Sequence, residues 1–247
     1  AKSAAKIPDP TGVDGKKAAG PPSMSIRNLD FVFKPRSVAL VGAGKALARN
    51  LLNSGFDGPI MPIDPSRRSI EGVLAYADAA ALPMVPDLAV IATPPETVPR
   101  LIEEFGQRGT RAAVVISSGF GEGGGAAGQA LRQAMLEAAG RYRMRIIGPN
   151  CIGVIVPQAG LNASFAPRMP AAGKLAFVAQ SGGIVAAVLD WANARGTGFS
   201  HFISLGDMAD VDLGDMLDYL ARQGEVHAIL LYAEAIAEAR KFMSAGR

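Results

Sequence analysis

Cysteine is almost absent. Cys151 is the only one in 247 residues, so no disulfide can form within the chain, and the composition fits a reducing compartment such as the cytoplasm. Histidine is nearly as scarce, with His201 and His227 alone. One thiol and two imidazoles fall short of the four ligands of an ordinary structural zinc site, and no metal site is expected. Long hydrophobic runs are missing too: no stretch reaches the roughly 18 apolar residues that a membrane-spanning helix needs, and the first residues lack a signal-peptide pattern. Aromatics make up only 6% of the chain and the net charge is +3. The arginines are scattered rather than clustered with aromatics, which argues against a nucleic-acid interface.

What is present is apolar and small. Hydrophobic residues reach 49%, with 29 glycines and 17 prolines, enough for a substantial core. Residues 1–23 carry Gly, Pro and Lys without a hydrophobic period. They are expected to be a disordered tail, or an added remnant ahead of a native start at Met24. From Ser37 short apolar runs alternate with helical patterns. The runs are Ser37–Gly42, Pro59–Ile63, Leu88–Thr93, Ala112–Ser117 and Met144–Gly148, and helices are expected near 45–54, 96–108 and 126–140. Runs apolar on both faces mark strands of a parallel sheet, and the alternation predicts a doubly wound α/β domain over 24–153. Residues 154–173 break the rhythm and read as a linker. Strand-like Leu175–Ala179, Phe202–Leu205 and Ala228–Tyr232, each followed by a helical pattern (183–194, 213–222 and 235–245), predict a second α/β unit over 174–247, incomplete at its C-terminal end.

Ligands of such folds sit at the carboxyl ends of the strands, so the residues there are the site candidates. Gly42, Ala43 and Gly44 form a short glycine turn able to bring backbone N–H groups to a phosphate. Asp64 ends the second strand, where an acid serves the ribose of NAD, yet Arg67 and Arg68 follow within four residues. Guanidinium groups suit phosphate better, which points to a ligand with an extra phosphate, NADP or coenzyme A. Thr93 and Pro94 end the third strand, with Glu96 or Thr97 placed to start the next helix. Ile116, Ser117 and Ser118 end the fourth. The fifth runs into a Gly148-Pro149-Asn150-Cys151 turn. Cys151 reads as structural, since no histidine can be assigned to activate it. In the second unit Ser181, Gly182 and Gly183 stand between strand and helix, where a hydroxyl cap and free N–H groups make an anion site. Glu234 follows the last strand, at a carboxyl edge where it can orient a histidine.

Taken in order, the Val-Gly-Ala, Ile-Asp-Pro, Asp-Leu-Ala-Val-Ile-Ala-Thr-Pro-Pro, Gly-Pro-Asn-Cys-x-Gly and Gln-Ser-Gly-Gly segments resemble those of NDP-forming acyl-CoA synthetases, relatives of the succinyl-CoA synthetase α subunit. The resemblance runs from about Leu29 to the last residue. Three further stretches, from Leu161, Ser204 and Ala239, resemble the branch in which this region is fused to a GNAT-type protein lysine acetyltransferase. The resemblance implies a Rossmann-like CoA-binding domain followed by a flavodoxin-like, succinyl-CoA synthetase-like domain. It places Gly42, Ala43 and Gly44 by the CoA phosphates, Arg67 or Arg68 at the family's basic position, Ile116, Ser117 and Ser118 along the CoA, and Asn150 and Cys151 toward the thioester. Ser181, Gly182 and Gly183 would receive a phosphohistidine steadied by Glu234. The glycine loop is shorter than the family's. Neither His201 nor His227 matches the phosphorylated histidine, which the family carries in a later segment.

The resemblance implies the conversion of acyl-CoA, NDP and phosphate to acid, CoA and NTP through an acyl phosphate and a phosphohistidine. ATP or ADP with Mg would belong to an ATP-grasp domain or subunit outside this chain, which alone is expected to be inactive. A homo-oligomer is also expected. Two other readings remain: an acyl-CoA-sensing regulatory module attached to a GNAT domain, and an NAD(P)-dependent oxidoreductase. The second leaves the Gln-Ser-Gly-Gly turn unexplained and finds no catalytic Tyr–Lys or His–Asp pair.

Overall fold

The computed structural model describes residues 26–42, 44–121 and 125–247. Two five-stranded sheets organise the chain. The first is built from β1 (Val38–Val41), β2 (Ile60–Ile63), β5 (Leu88–Ile91), β6 (Ala112–Val115) and β7 (Arg145–Ile147), in the order β2-β1-β5-β6-β7. Every pairing is parallel, and the order is the flavodoxin-like variant of the doubly wound plan. A small antiparallel pair, β3 (Ser69–Ile70) and β4 (Val73–Leu74), lies between β2 and β5 in the chain. The helices are α1 (Asp30–Phe33), α2 (Lys45–Leu52), α3 (Val98–Arg108) and α4 (Gly125–Tyr142).

The second sheet holds β8 (Gly153–Val156), β9 (Leu161–Ser164), β10 (Ala172–Ala179), β11 (Phe199–Ser204) and β12 (Ala228–Tyr232), in the order β12-β10-β11-β8-β9. β10, β11 and β12 are parallel, whereas β8 is antiparallel to both β11 and β9. The helices are α5 (Gly182–Arg195), α6 (Leu213–Leu220) and α7 (Ala239–Ala245). The expected linker over 154–173 is therefore corrected: most of it is a β-hairpin that extends the second sheet. Its Gly, Pro and Asn residues resemble loop punctuation, and its second strand, Leu161–Ser164, carries Asn162 and Ser164 in place of an apolar run. The helix expected from 235 begins at Ala239, and the readings of residues 1–23 and Met24 lie outside the described residues.

Alternation along the strands sorts the core into layers, because successive side chains point to opposite faces. In the first sheet Ala39, Val41, Ala89, Ile91, Ala113 and Val115 pack with α3 and α4. In the second, Phe177, Ala179 and Phe202 pack with α5. The remaining faces share a single core: Val38, Leu40, Val90 and Val114 of the first sheet join Val154, Ala176, Val178 and Ile203 of the second, with α1, α2 and α6 among them. Polar contacts follow the same seam. Asn50 Nδ2 donates to the carbonyls of Ser164 and Ala166, both at 2.9 Å, and Tyr219 Oη donates to Asp30 Oδ1 at 2.9 Å. Arg145 of β7 pairs with Asp210 at 2.9 Å and with Asp215 of α6 at 3.1 Å, while Lys241 of α7 pairs with Asp212 at 2.8 Å and Asp215 at 3.1 Å. The two units thus hold each other in one orientation.

Candidate functional site

The parallel register aligns the strand ends in one row. Val41 pairs with Ile63 and Ile91, and Ile91 with Val115, so the turns after four strands open on one edge. Gly42 has φ +68°, and a Cβ on it would meet Thr93 Cγ2 at 2.3 Å; a side chain would drive the first turn away from the third. Ser117 Oγ donates to the Thr93 carbonyl at 2.5 Å, and Thr97 Oγ1 donates to Pro94 O and lies 2.7 Å from Thr93 Oγ1. Thr97 therefore locks the loop instead of capping α3. Asp64 Oδ1 accepts from Ser66 N at 2.9 Å, Ser66 Oγ at 2.7 Å and Arg67 N at 3.1 Å. These bonds, with Ser66 foremost, hold its carboxyl below the usual range. Asp64 thus shapes the turn that presents Arg67 and Arg68, both with exposed side chains.

The fifth strand end is where the two units meet. Asn150 sits at φ +57°, a left-handed conformation that Asn tolerates. Its N–H donates to Ser117 O at 2.9 Å and its Nδ2 to Asp207 Oδ1 at 3.0 Å, while Asp207 N donates to Pro149 O at 2.9 Å. Gly206, with φ +56°, permits this approach, since its Cβ would lie 2.1 Å from Pro149 O and 2.5 Å from Asn150 O. Cys151 is buried and donates to Val115 O at 3.4 Å; burial pushes its thiol up to about 12. Across the gap Ser181 caps α5, its Oγ accepting from Ile184 N at 3.4 Å. Gln180 Oε1 accepts from Glu234 N at 2.5 Å and Ala235 N at 2.9 Å, which ties the turn after β12 to the start of α5. Asn150, Cys151, Ser181, Gly182, Gly183 and Glu234 line one cleft of about 370 Å³. A second cleft of about 720 Å³ adjoins it, sharing Asn150 and Asp207.

Residues 36–157 match the family described as CoA binding domain, and residues 172–247 match the one described as succinyl-CoA ligase like flavodoxin domain. The chain joins a CoA-binding domain to a succinyl-CoA ligase-like domain. It is 38% identical over 222 residues to acetate–CoA ligase [ADP-forming] I of Archaeoglobus fulgidus, covering 87% of this chain and 32% of that protein. It is 36% identical over 231 residues to the α subunit of acetate–CoA ligase [ADP-forming] I of Pyrococcus furiosus, covering 89% of this chain and 50% of that subunit. The apo structure of dinucleotide forming acetyl-coenzyme A synthetase 1 from Ca. Korarchaeum cryptofilum superposes with a TM-score of 0.83 at 34% identity, covering 88% of this chain and 49% of that one. The chain thus spans half or less of these relatives' length.

Within this two-domain frame the candidate residues fall into two groups. In the CoA-binding domain Gly42, Gly44, Asp64, Arg67, Arg68, Thr93, Pro94, Ile116, Ser117 and Ser118 lie along the row of strand ends, with Ala43 outside the described residues. Asn150 and Cys151 stand where that domain meets Ser181, Gly182, Gly183 and Glu234 of the ligase-like domain. His201 is apart from the cleft. It is buried in β11, edge-on to Phe33, and neither ring nitrogen has a hydrogen-bond partner among the described residues. Burial pulls its pKa down to about 4, so it is a neutral core residue. Asp207 was missed from sequence, and Gln180, part of the Gln-Ser-Gly-Gly segment, was given no role of its own there. Asp207 follows a glycine just beyond a strand's carboxyl end, which was the available signal. Among the described residues no helix is long and apolar enough to cross a membrane, and no cluster of metal-ligating side chains occurs.

Proposed function

We propose that this chain is the CoA-binding part of an ADP-forming acyl-CoA ligase, interconverting acyl-CoA, phosphate and ADP with the acid, CoA and ATP. One observation carries the reading: the Asn150–Cys151 turn of the CoA-binding domain and the Ser181–Gly183 helix start of the ligase-like domain share one cleft. CoA lies along the strand ends, its phosphates near Gly42 and Gly44, and its 3′-phosphate near Arg67 or Arg68. Its thiol end reaches Asn150. At the start of α5 the first backbone N–H groups lack intrahelical partners and the helix dipole favours negative charge. A phosphate-bearing group held there stands beside the thioester. In the thioester-forming direction the CoA sulfur forms the C–S bond to the acyl carbon as the bond from that carbon to the phosphate oxygen breaks; the thiol proton goes to the departing phosphate, which leaves against the helix start. Cys151, with its raised thiol pKa, packs the turn and stays out of the chemistry.

In the opposite, ATP-forming direction phosphate attacks the thioester carbon and releases CoA as its thiol. The phosphoryl group of the resulting acyl phosphate passes to a histidine steadied by Glu234 and supplied from beyond this chain, and from it to ADP in an ATP-grasp domain or subunit that would hold Mg. The assembly is cytoplasmic and oligomeric in this reading. The relatives cited above are acetate–CoA ligases or an acetyl-CoA synthetase by name, which supports a ligase and lends nothing to the GNAT-fused alternative. The three bonds Asp64 Oδ1 accepts from its own turn weigh against a ribose-binding acid and so against an NAD enzyme. Titration calorimetry of the chain with CoA, NADP and NAD is the test. Binding of CoA without NAD or NADP is expected; NAD(P) binding without CoA binding would reject the proposal.

A further inference from the structure

The cleft of about 720 Å³ lies beyond Ser118 and Asn150, toward α4. Its volume far exceeds what a two-carbon acyl group fills. Its wall includes Phe120 and the backbone of Gly119 and Gly121, and its polar side chains are Ser118, Gln129, Arg132, Asn150 and Asp207. Arg132 is the one cation among the described lining residues. Its Nε is buried without a hydrogen-bond partner, and the side chain makes no ion pair among the described residues. Nε itself has no exposed surface to offer a ligand; the Nη groups of the same guanidinium, with no ion-pair partner among the described residues, are the donors that this side chain brings to the cleft wall. Asp207 faces the same space. Its Oδ1 accepts from Asn150, and its Oδ2 has no hydrogen-bond partner among the described residues.

Resting on the ligase reading above, we infer that this cleft receives the acyl chain of a carboxylic acid longer than acetate that carries a hydroxyl at its far end. Asn150 and Asp207 belong to both clefts, so a chain whose thioester end lies by Ser181 runs past Asn150 into the larger space. There a hydroxyl accepts from Arg132 or Gln129 and donates to Asp207. A terminal methyl satisfies neither side. A terminal carboxylate meets Arg132 but also the negative Asp207. A site built to hydrogen-bond a hydroxyl rejects the analogue lacking it far more strongly than a purely apolar pocket would.

The test is titration of the chain with CoA, valeryl-CoA, 5-hydroxyvaleryl-CoA and glutaryl-CoA, which keep the acyl length constant. The hydroxyacyl thioester should bind about tenfold more tightly than valeryl-CoA, a ratio matching one charge-assisted hydrogen bond, and more tightly than glutaryl-CoA. Arg132→Met should bring the ratio of hydroxyacyl to valeryl binding to about one, and Arg132→Lys should restore part of it. Circular dichroism of both variants should match the parent. Equal binding of the three thioesters overturns the inference while CoA binding keeps the ligase reading intact. Preference for glutaryl-CoA also overturns it, in favour of a diacid. Failure of CoA itself to bind rejects the ligase reading and the inference with it.

Discussion

Replacing Arg145 by Met should loosen the junction between the two domains. The guanidinium is nearly enclosed, with 11% of its side chain exposed, and it faces Asp215, of which 2% is exposed. Nε and Nη2 donate to Asp210 and Asp215, and Nη1 reaches the Arg27 carbonyl at 3.5 Å. Burial already raises the Asp215 carboxyl above the usual range, against the opposing pull of Arg145 and Lys241. Methionine keeps most of the packing volume and deletes the charge, leaving Lys241 as the remaining cation on Asp215. Breaking a buried pair from one side costs about 3 kcal/mol, and a loss of that size is expected at neutral pH by urea unfolding. The loss should shrink toward roughly pH 4, the ordinary carboxylate range. The sign follows from the raised folded pKa. As pH climbs, the unfolded carboxyl releases its proton first, so stability falls between the unfolded and folded values, and the variant widens that window. A loss under about 1 kcal/mol at pH 7, on the scale of an exposed pair, or one that does not change between pH 4 and 7, would refute the reasoning.

Cys151, with its thiol raised to about 12 and its side chain buried, should resist iodoacetamide at pH 8 in the folded chain and react once the chain is unfolded in urea; mass spectrometry reads both, and ready labelling of the folded form would contradict the assignment. Gly206→Ala should destabilise the chain by about 2 kcal/mol or more, because a left-handed φ costs roughly 1–2 kcal/mol for an L-residue and the added Cβ meets two backbone oxygens; denaturant titration measures it. Arg67→Ala and Arg68→Ala, compared by calorimetry, should between them weaken CoA more than dephospho-CoA. Equal losses for the two ligands would remove both arginines from the 3′-phosphate.

Much of the first domain could be read along the chain because its strands are short, apolar on both faces and bounded by Gly or Pro. Ser37–Gly42 contains Val38–Val41, and Leu88–Thr93 contains Leu88–Ile91. The hairpin of β8 and β9 could not be read this way. β8 is apolar on both sides, with Val154 and Val156 facing the shared core and Ile155 facing α5. It is followed not by a helical pattern but by residues 157–160 and a strand, Leu161–Ser164, that carries Asn162 and Ser164, so the pair looks like an irregular connection. The two domains could be told apart along the chain, but the apolar core they share could not, because its residues come from strands of both sheets. At the site, residues at strand ends were visible by position. Arg132 was not, because it stands inside a helix and matters only through the larger cleft. Asp207 does follow a strand end, but its role depends on Asn150, far away in sequence. The Asp64 carboxylate shows the converse. Its position at a strand end suggested a ligand role, while its bonds serve the local turn.

The central claim is that the CoA sulfur enters the cleft that Asn150 shares with the start of α5. A tethering experiment addresses this directly. Ser181→Cys places a thiol at the cap position of the cleft, while Cys151 stays buried. Incubation with CoA disulfide allows exchange, in which the new thiolate forms a bond to one CoA sulfur and releases the other CoA as a thiol. Mass spectrometry should find one CoA attached at position 181, formed much faster than on a Ser69→Cys control at the exposed Ser69 of β3 and suppressed by excess CoA. Labelling at the control rate, unaffected by free CoA, would contradict the account.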